Sequence, residues 1–176
     1  MTRNLATISL VLLGLLTFNA CSKNEGQSGQ TKQLSATEIP AGALFTAADL
    51  DGNLHPSSEW LGKQPTVINF WGTWCPPCRR EIPDLVKIYD EYRSQGVALV
   101  SLAVNDEPAK VRDYVAEHGM KWVHLIAEQQ HMTVFGEIRG VPTTIFFDKN
   151  GKEVKRLVGA QSYEDFKEAF QMILAI

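Results

Sequence analysis

Apolar and polar positions divide the chain into a leader, a polar stretch and a folded region. Residues 8–16, ISLVLLGLL, form one unbroken apolar run, and residues 22–38, SKNEGQSGQTKQLSATE, are nearly free of large apolar groups. The first is too short for a membrane-crossing helix, which needs about 20 residues, and suits the apolar part of an export signal. The second reads as a flexible tether. A domain over 39–176 then follows, in which strand-like and helix-like patterns take turns.

Residues 43–55 carry an Asp51-Gly52 pair and predict a hairpin. PTVINFW (65–71) and VALVSLAV (97–104) are nearly all apolar and predict buried central strands. Between them, residues 76–94 predict a helix with Pro76 or Pro77 in its first turn. Ile82, Leu85, Ile88, Tyr89 and Tyr92 recur there at helical spacing, and Pro83 inside it predicts a kink. A second helix is expected over 107–119, with Pro108 at its start and Gly119 as its stop. A short strand over 122–126 and a short helix over 128–135 come next. Residues 143–148 and 152–158, joined by KNG, form a second hairpin. Ser162 and Asp165 are spaced as a capping box before a last helix lined by Tyr163, Phe166, Phe170 and Ile173. The order βαβαβ then ββα predicts one α/β domain, a central mixed sheet with helices on both faces and an N-terminal hairpin extension.

Composition narrows the chemistry. The 176 residues carry a formal net charge of −3, which offers no basic surface for nucleic acid. Three cysteines are too few for a disulfide-built miniprotein. One of them, Cys21, directly follows the leader, in which Arg3 is the only charge. Leader, cysteine and polar tether together resemble a bacterial lipoprotein precursor, in which that cysteine carries lipid and begins the mature chain. Ala20 fits the pattern, whereas Phe18 stands where Leu is usual.

The other two cysteines form Cys75-Pro76-Pro77-Cys78, at the end of an expected strand and the start of an expected helix. The first turn of a helix has free N–H groups and partial positive charge, which favour thiolate. Thiolate is the attacking species in disulfide exchange. Cys75, at the helix mouth, is the candidate nucleophile, and Cys78, one turn on and facing inward, the candidate resolving thiol. Arg79 and Arg80 add positive potential. A zinc site is disfavoured because four ligands are usual and His55, His118, His124 and His131 are scattered, as ordinary surface or satisfied core histidines. A structural staple gains little from a two-residue loop. Copper handling by the pair remains open by ligand type.

FWGTWCPPCRREIPDL resembles the active-site stretch of the thioredoxin superfamily, and more narrowly its tethered extracytoplasmic thiol–disulfide oxidoreductases related to TlpA and ResA. The resemblance covers about residues 39–176. It implies a thioredoxin-like fold, and it makes Pro142 in GVPTT (140–144) a cis-proline beside the redox pair, leaving the Val141 backbone to pair with an extended substrate. Trp74, Pro76, Pro77, Val141 and Pro142 are then expected around the substrate, with Trp74 shielding the pair and Trp71 in the core. Asn69 replaces the acid that cytoplasmic thioredoxins carry six residues before the first cysteine. Glu81, three residues after the second, matches the ResA-like branch, where burial raises such a carboxyl toward a useful pKa. The alternative for Glu81 is a solvent-facing residue paired with an arginine.

The resemblance further implies a reductase of disulfides in exported proteins, apocytochrome c among them. It works without a cofactor, is recycled by a membrane electron donor, and is tethered by a lipid anchor in the bacterial cell envelope, on the extracytoplasmic (periplasmic) side. A disulfide oxidase or isomerase and a non-enzymatic metal- or apoprotein-binding module are the alternatives. The chain between 104 and 140 lacks room for the helical insertion normal in exported oxidases. A peroxidase is disfavoured because Thr73 lies two residues, not three, before Cys75 and position 69 is not proline.

Overall fold

The computed structural model describes residues 44–176. The leader, Cys21, the tether and the first residues of the expected domain lie outside the described residues.

Two short strands, β1 (Thr46–Ala48) and β2 (Leu54–Pro56), form the expected antiparallel hairpin. The Asp49 carboxylate organises its turn, accepting from the Asp51 and Asn53 N–H groups at 2.9 and 2.8 Å. Gly52, at φ +89°, supplies the left-handed residue. β3 (Thr66–Trp71), β4 (Ala98–Val104), β5 (Val123–Ala127), β6 (Thr143–Phe147) and β7 (Glu153–Val158) make one sheet in the order β5-β4-β3-β6-β7. β3, β4 and β5 run parallel, and β6 is antiparallel to both β3 and β7. The sheet is mixed, as expected, and the fold is thioredoxin-like.

α1 (Pro76–Tyr92) connects β3 to β4, α2 (Pro108–His118) connects β4 to β5, and α3 (Tyr163–Leu174) ends the fold. α1 continues through Pro83, which sits on its exposed side. Its opposite face buries Cys78, Glu81, Ile82, Leu85, Ile88 and Tyr92. Each large apolar side chain there contributes roughly 1.5–3 kcal/mol of transfer free energy. The Ser162–Asp165 capping box forms at the start of α3.

The flanking of the sheet is unequal. Ile82 and Leu85 of α1, Val111 of α2, and Phe166 and Phe170 of α3 share one apolar cluster with Val67, Trp71, Leu99 and Phe146. The chain steps from β3 to β4 to β5 in one direction, and right-handed crossovers then place both connecting helices on the same side. The other face is covered by the hairpin residues Phe45 and Ala47 and by Trp60, Leu61, Phe135 and Ile138. The helical pieces near that side are the 3-10 turns Ser57–Glu59 and Gln129–Met132. The expectation of helices on both faces is corrected to this extent: the three α-helices among the described residues share one face. His131 ties the hairpin down. Its Nδ1 accepts from the Glu128 N–H at 2.8 Å, so its Nε2–H donates to the Thr46 carbonyl at 3.0 Å.

Candidate active site

β3 delivers the chain to a tight turn, in which the Cys75 N–H donates to the Gly72 carbonyl at 3.1 Å. The loop after β4 holds this turn from the side. The Asp106 carboxylate accepts from the Thr73 N–H at 2.6 Å and the Thr73 hydroxyl at 3.0 Å. The Trp74 indole N–H donates to the Val104 carbonyl at 2.8 Å. Gly72 is required by close approach: a Cβ there would lie 2.6 Å from Trp74 Nε1.

Cys75 is the N-cap of α1, and Pro76 and Pro77 fill the first two helical positions. Neither proline has an N–H. The first free N–H of the helix is therefore that of Cys78, and it donates to Cys75 Sγ at 3.2 Å. The two cysteines form a disulfide with Cα atoms 5.3 Å apart. Both are buried, Cys75 at 2% exposure and Cys78 at 0%, in the cluster shared by α1 and α3. Cys75 stands at the mouth of the helix, and neighbouring segments close over it. One of these is the loop before β6, where the Val141–Pro142 bond is cis and the Val141 carbonyl oxygen lies 3.6 Å from Cys75 Sγ. A disulfide sulfur carries no hydrogen, so in this oxidised form that approach is a contact. Pro142 is buried and Val141 half-buried.

Trp74 stands half in solvent, Pro76 is exposed, and Pro77 is half-buried, so these three form part of the surface around the pair. Trp71 is fully buried in the core, as expected. Arg79 and Arg80 are exposed.

Glu81 lies one turn beyond Cys78, on the inward face of α1, at 1% exposure. Among the described residues it makes no ion pair with an arginine. Its Oε2 accepts from the Gln161 backbone N–H at 3.0 Å and its Oε1 from the Asn69 amide at 3.4 Å. Burial pushes its pKa up and these two hydrogen bonds oppose the push, leaving it at about 7 against the ordinary 4.5. That places the carboxyl where it can exchange a proton near neutral pH. The motif marks Asn69 only as the replacement of an acid, and neither Asn69 nor Gln161 is legible there as a partner of Glu81. A polar side chain in the middle of PTVINFW was the available signal, since a buried amide must find partners.

The remaining histidines are mostly ordinary. His55 bridges Asp49 and Glu59 at 3.1 Å each on the surface. His124 departs from expectation. It is 7% exposed, its Nε2 lies 3.2 Å from the Met120 carbonyl, and its Nδ1 has no hydrogen-bond partner. Trp71 Nε1 has none either. Burial pushes the His124 pKa down to about 4. Among the described residues, no three His, Cys, Asp or Glu side chains converge in a way that could hold a metal ion.

The family model for redoxins matches residues 34–173. The chain belongs to the redoxin family. Within it, the chain is 33% identical over 129 residues to the thiol-disulfide oxidoreductase ResA of Geobacillus thermodenitrificans, covering 73% of this chain and 74% of that protein. ResA of Halalkalibacterium halodurans is likewise 33% identical, over 73% of each chain. A thiol:disulfide interchange protein of the thioredoxin family from Chlorobium tepidum has a solved structure that superposes with a TM-score of 0.67 at 33% identity, covering 74% of this chain and 93% of that one. This redoxin is accordingly a TlpA/ResA-like member of the thioredoxin superfamily and a thiol-disulfide oxidoreductase.

Proposed function

We propose that this oxidoreductase is a reductase of disulfides in exported proteins, and that Cys75, Cys78 and Glu81 carry the reaction. The observation that carries the reading is the placement of a buried carboxyl with a pKa near 7 one helical turn beyond the resolving cysteine. In the reduced enzyme the Cys75 thiolate, stabilised by the Cys78 N–H, attacks one sulfur of the substrate disulfide. A Cys75–substrate disulfide forms and the other substrate sulfur leaves as thiolate. Glu81 takes the proton of Cys78, whose thiolate then attacks Cys75 Sγ and expels the second substrate sulfur. The substrate gains two electrons and two protons, and the enzyme is left with the Cys75–Cys78 disulfide. Thiol exchange needs no cofactor at any step. Trp74, Pro76, Pro77, Val141 and Pro142 form the surface that receives the substrate, with the Val141 backbone beside the reacting sulfur.

A membrane protein carrying electrons outward returns two electrons to the pair. The signal-like run at 8–16, Cys21 and the polar tether support a lipid-anchored position in the cell envelope of a bacterium, facing away from the cytoplasm. Among substrates, apocytochrome c fits as a secreted chain whose cysteines must be reduced.

The test is reduction of insulin disulfides by the reduced protein, together with a redox titration of Cys75–Cys78 against glutathione. A potential toward the thioredoxin end, about −270 mV, is expected; one near about −120 mV would overturn the direction. C78S should trap substrates as mixed disulfides on Cys75. Labelled palmitate should enter wild type and not C21A.

A further inference from the structure

Asn69 does not stand alone. It is the register partner of Ser101 on β4 and of Thr144 on β6, so the three lie in one row across the sheet. All three are at 0–1% exposure on the side that α1 covers. The Trp122 indole, just before β5, reaches over the outer end of this row. Its N–H donates to Ser101 Oγ at 2.7 Å. Ser101 Oγ in turn donates to Asn69 Oδ1 at 3.5 Å, and Asn69 Nδ2 donates to Thr144 Oγ1 at 2.9 Å and to Glu81 Oε1 at 3.4 Å.

The direction of this chain follows from what each group can donate. An indole N–H can only donate, so Ser101 Oγ accepts from it. Among the described residues the serine hydrogen has Asn69 Oδ1 as its acceptor, and a reversed amide would leave that hydrogen without one, so the Asn69 oxygen is held toward Ser101. The NH2 end is thereby turned toward Glu81. A flipped amide would instead present its oxygen to the carboxyl, repelling the ionised form and accepting from the protonated one.

We propose that Asn69 is a positioning residue for Glu81, with its amide orientation set by Trp122 through Ser101. This rests on the reading of Glu81 as the acid–base group. Among the described residues, the groups facing Glu81 are Asn69 from β3, the Gln161 N–H from the connection before α3, and the Cys75–Cys78 disulfide one turn back along α1, with Thr144 of β6 sharing the Asn69 amide. No salt bridge reaches it, so two donors oppose its desolvation, and one of them depends on the strut. A donor to a carboxylate favours its ionised form.

The experiment is a pH titration of the oxidised full chain labelled at the glutamate carboxyl carbon, read by NMR. The Glu81 signal is assigned by its loss in E81Q. N69L and S101A should each raise the Glu81 midpoint by about one pH unit, the size expected for losing a charged hydrogen bond. S101T, which keeps the hydroxyl, should restore it. S101A removes one oxygen far from the carboxyl and guards against N69L failing to fold. An unchanged midpoint in S101A overturns the strut, and an unchanged midpoint in N69L overturns the positioning role. A second arm measures the pH profile of the reduced protein's reaction with oxidised glutathione, which should shift in parallel. If the NMR midpoints move as stated while E81Q exchanges at the wild-type rate, the positioning of Glu81 stands and its role in proton transfer fails.

Discussion

Replacing Glu81 by glutamine removes a buried group whose ionisation works against the fold. The folded pKa of about 7 lies above the unfolded 4.5, so the unfolded chain ionises first as pH rises. Below pH 4.5 both states hold the proton and the group contributes no penalty. Between 4.5 and about 7 stability falls with rising pH, and above 7 the full penalty is present. At 1.36 kcal/mol per pH unit, the displacement from 4.5 to about 7 corresponds to roughly 3 kcal/mol. E81Q cannot ionise, so its stability curve should lack this decline. Glutamine can still accept from the Gln161 N–H, but its own NH2 or the Asn69 NH2 loses a partner, at about 1 kcal/mol independent of pH. The slope is therefore the diagnostic and the offset is not. The assay is urea unfolding of the oxidised proteins at intervals from pH 4 to 9. The difference between E81Q and wild type should grow in favour of E81Q by roughly 3 kcal/mol across that range. Curves that run parallel would refute the placement of a strained carboxyl at this site.

Three further perturbations test other parts of the structure. His124, held neutral with a pKa near 4 against an ordinary 6.5, supports stability above pH 6.5 and withdraws it as pH falls toward 4; H124L should flatten this acid limb by roughly 3 kcal/mol, read from acid unfolding monitored by circular dichroism. G72A drives a methyl group into the Trp74 indole, so it should break the Trp74–Val104 bond, red-shift Trp74 fluorescence and slow insulin reduction several-fold. F170A, which removes a fully buried ring lying 5.5 and 5.8 Å from Tyr92 and Phe146, should cost about 3–5 kcal/mol in chemical unfolding.

Where apolar periodicity was strong, the chain could be read directly. The limits of α1 and α2, the two central strands, the β6–β7 hairpin and the Ser162 cap all follow from spacing, proline and cap residues, because those signals are local. The Cys75–Cys78 pair was legible for the same reason. What could not be read were the relations across the sheet. Ser101 and Thr144 become neighbours of Asn69 only through strand register, and Trp122 joins them from a loop. The Gln161 N–H reaches Glu81 across 80 positions of chain. The assignment of all three α-helices to one face depends on which way the chain steps along the sheet, and no residue pattern encodes that alone. The unpartnered Nδ1 of His124 is likewise a property of packing.

The outer strands of the sheet bear on how such an enzyme lets go of its clients. Unfolded polypeptides seek strand edges, and a sheet offers two. On the β5 side, Leu125 is bridged by Asp49 of the hairpin, which interrupts that edge. On the β7 side, Glu153 and Arg156 are paired at 2.8 Å, and Lys155 reaches Glu168 at 3.6 Å, so the edge is lined with fixed charge. A substrate disulfide bound at Cys75 thus finds little backbone to zip against on the outer strands, and backbone pairing is left to the segment around Val141. Turnover, rather than chaperoning, is what such borders favour.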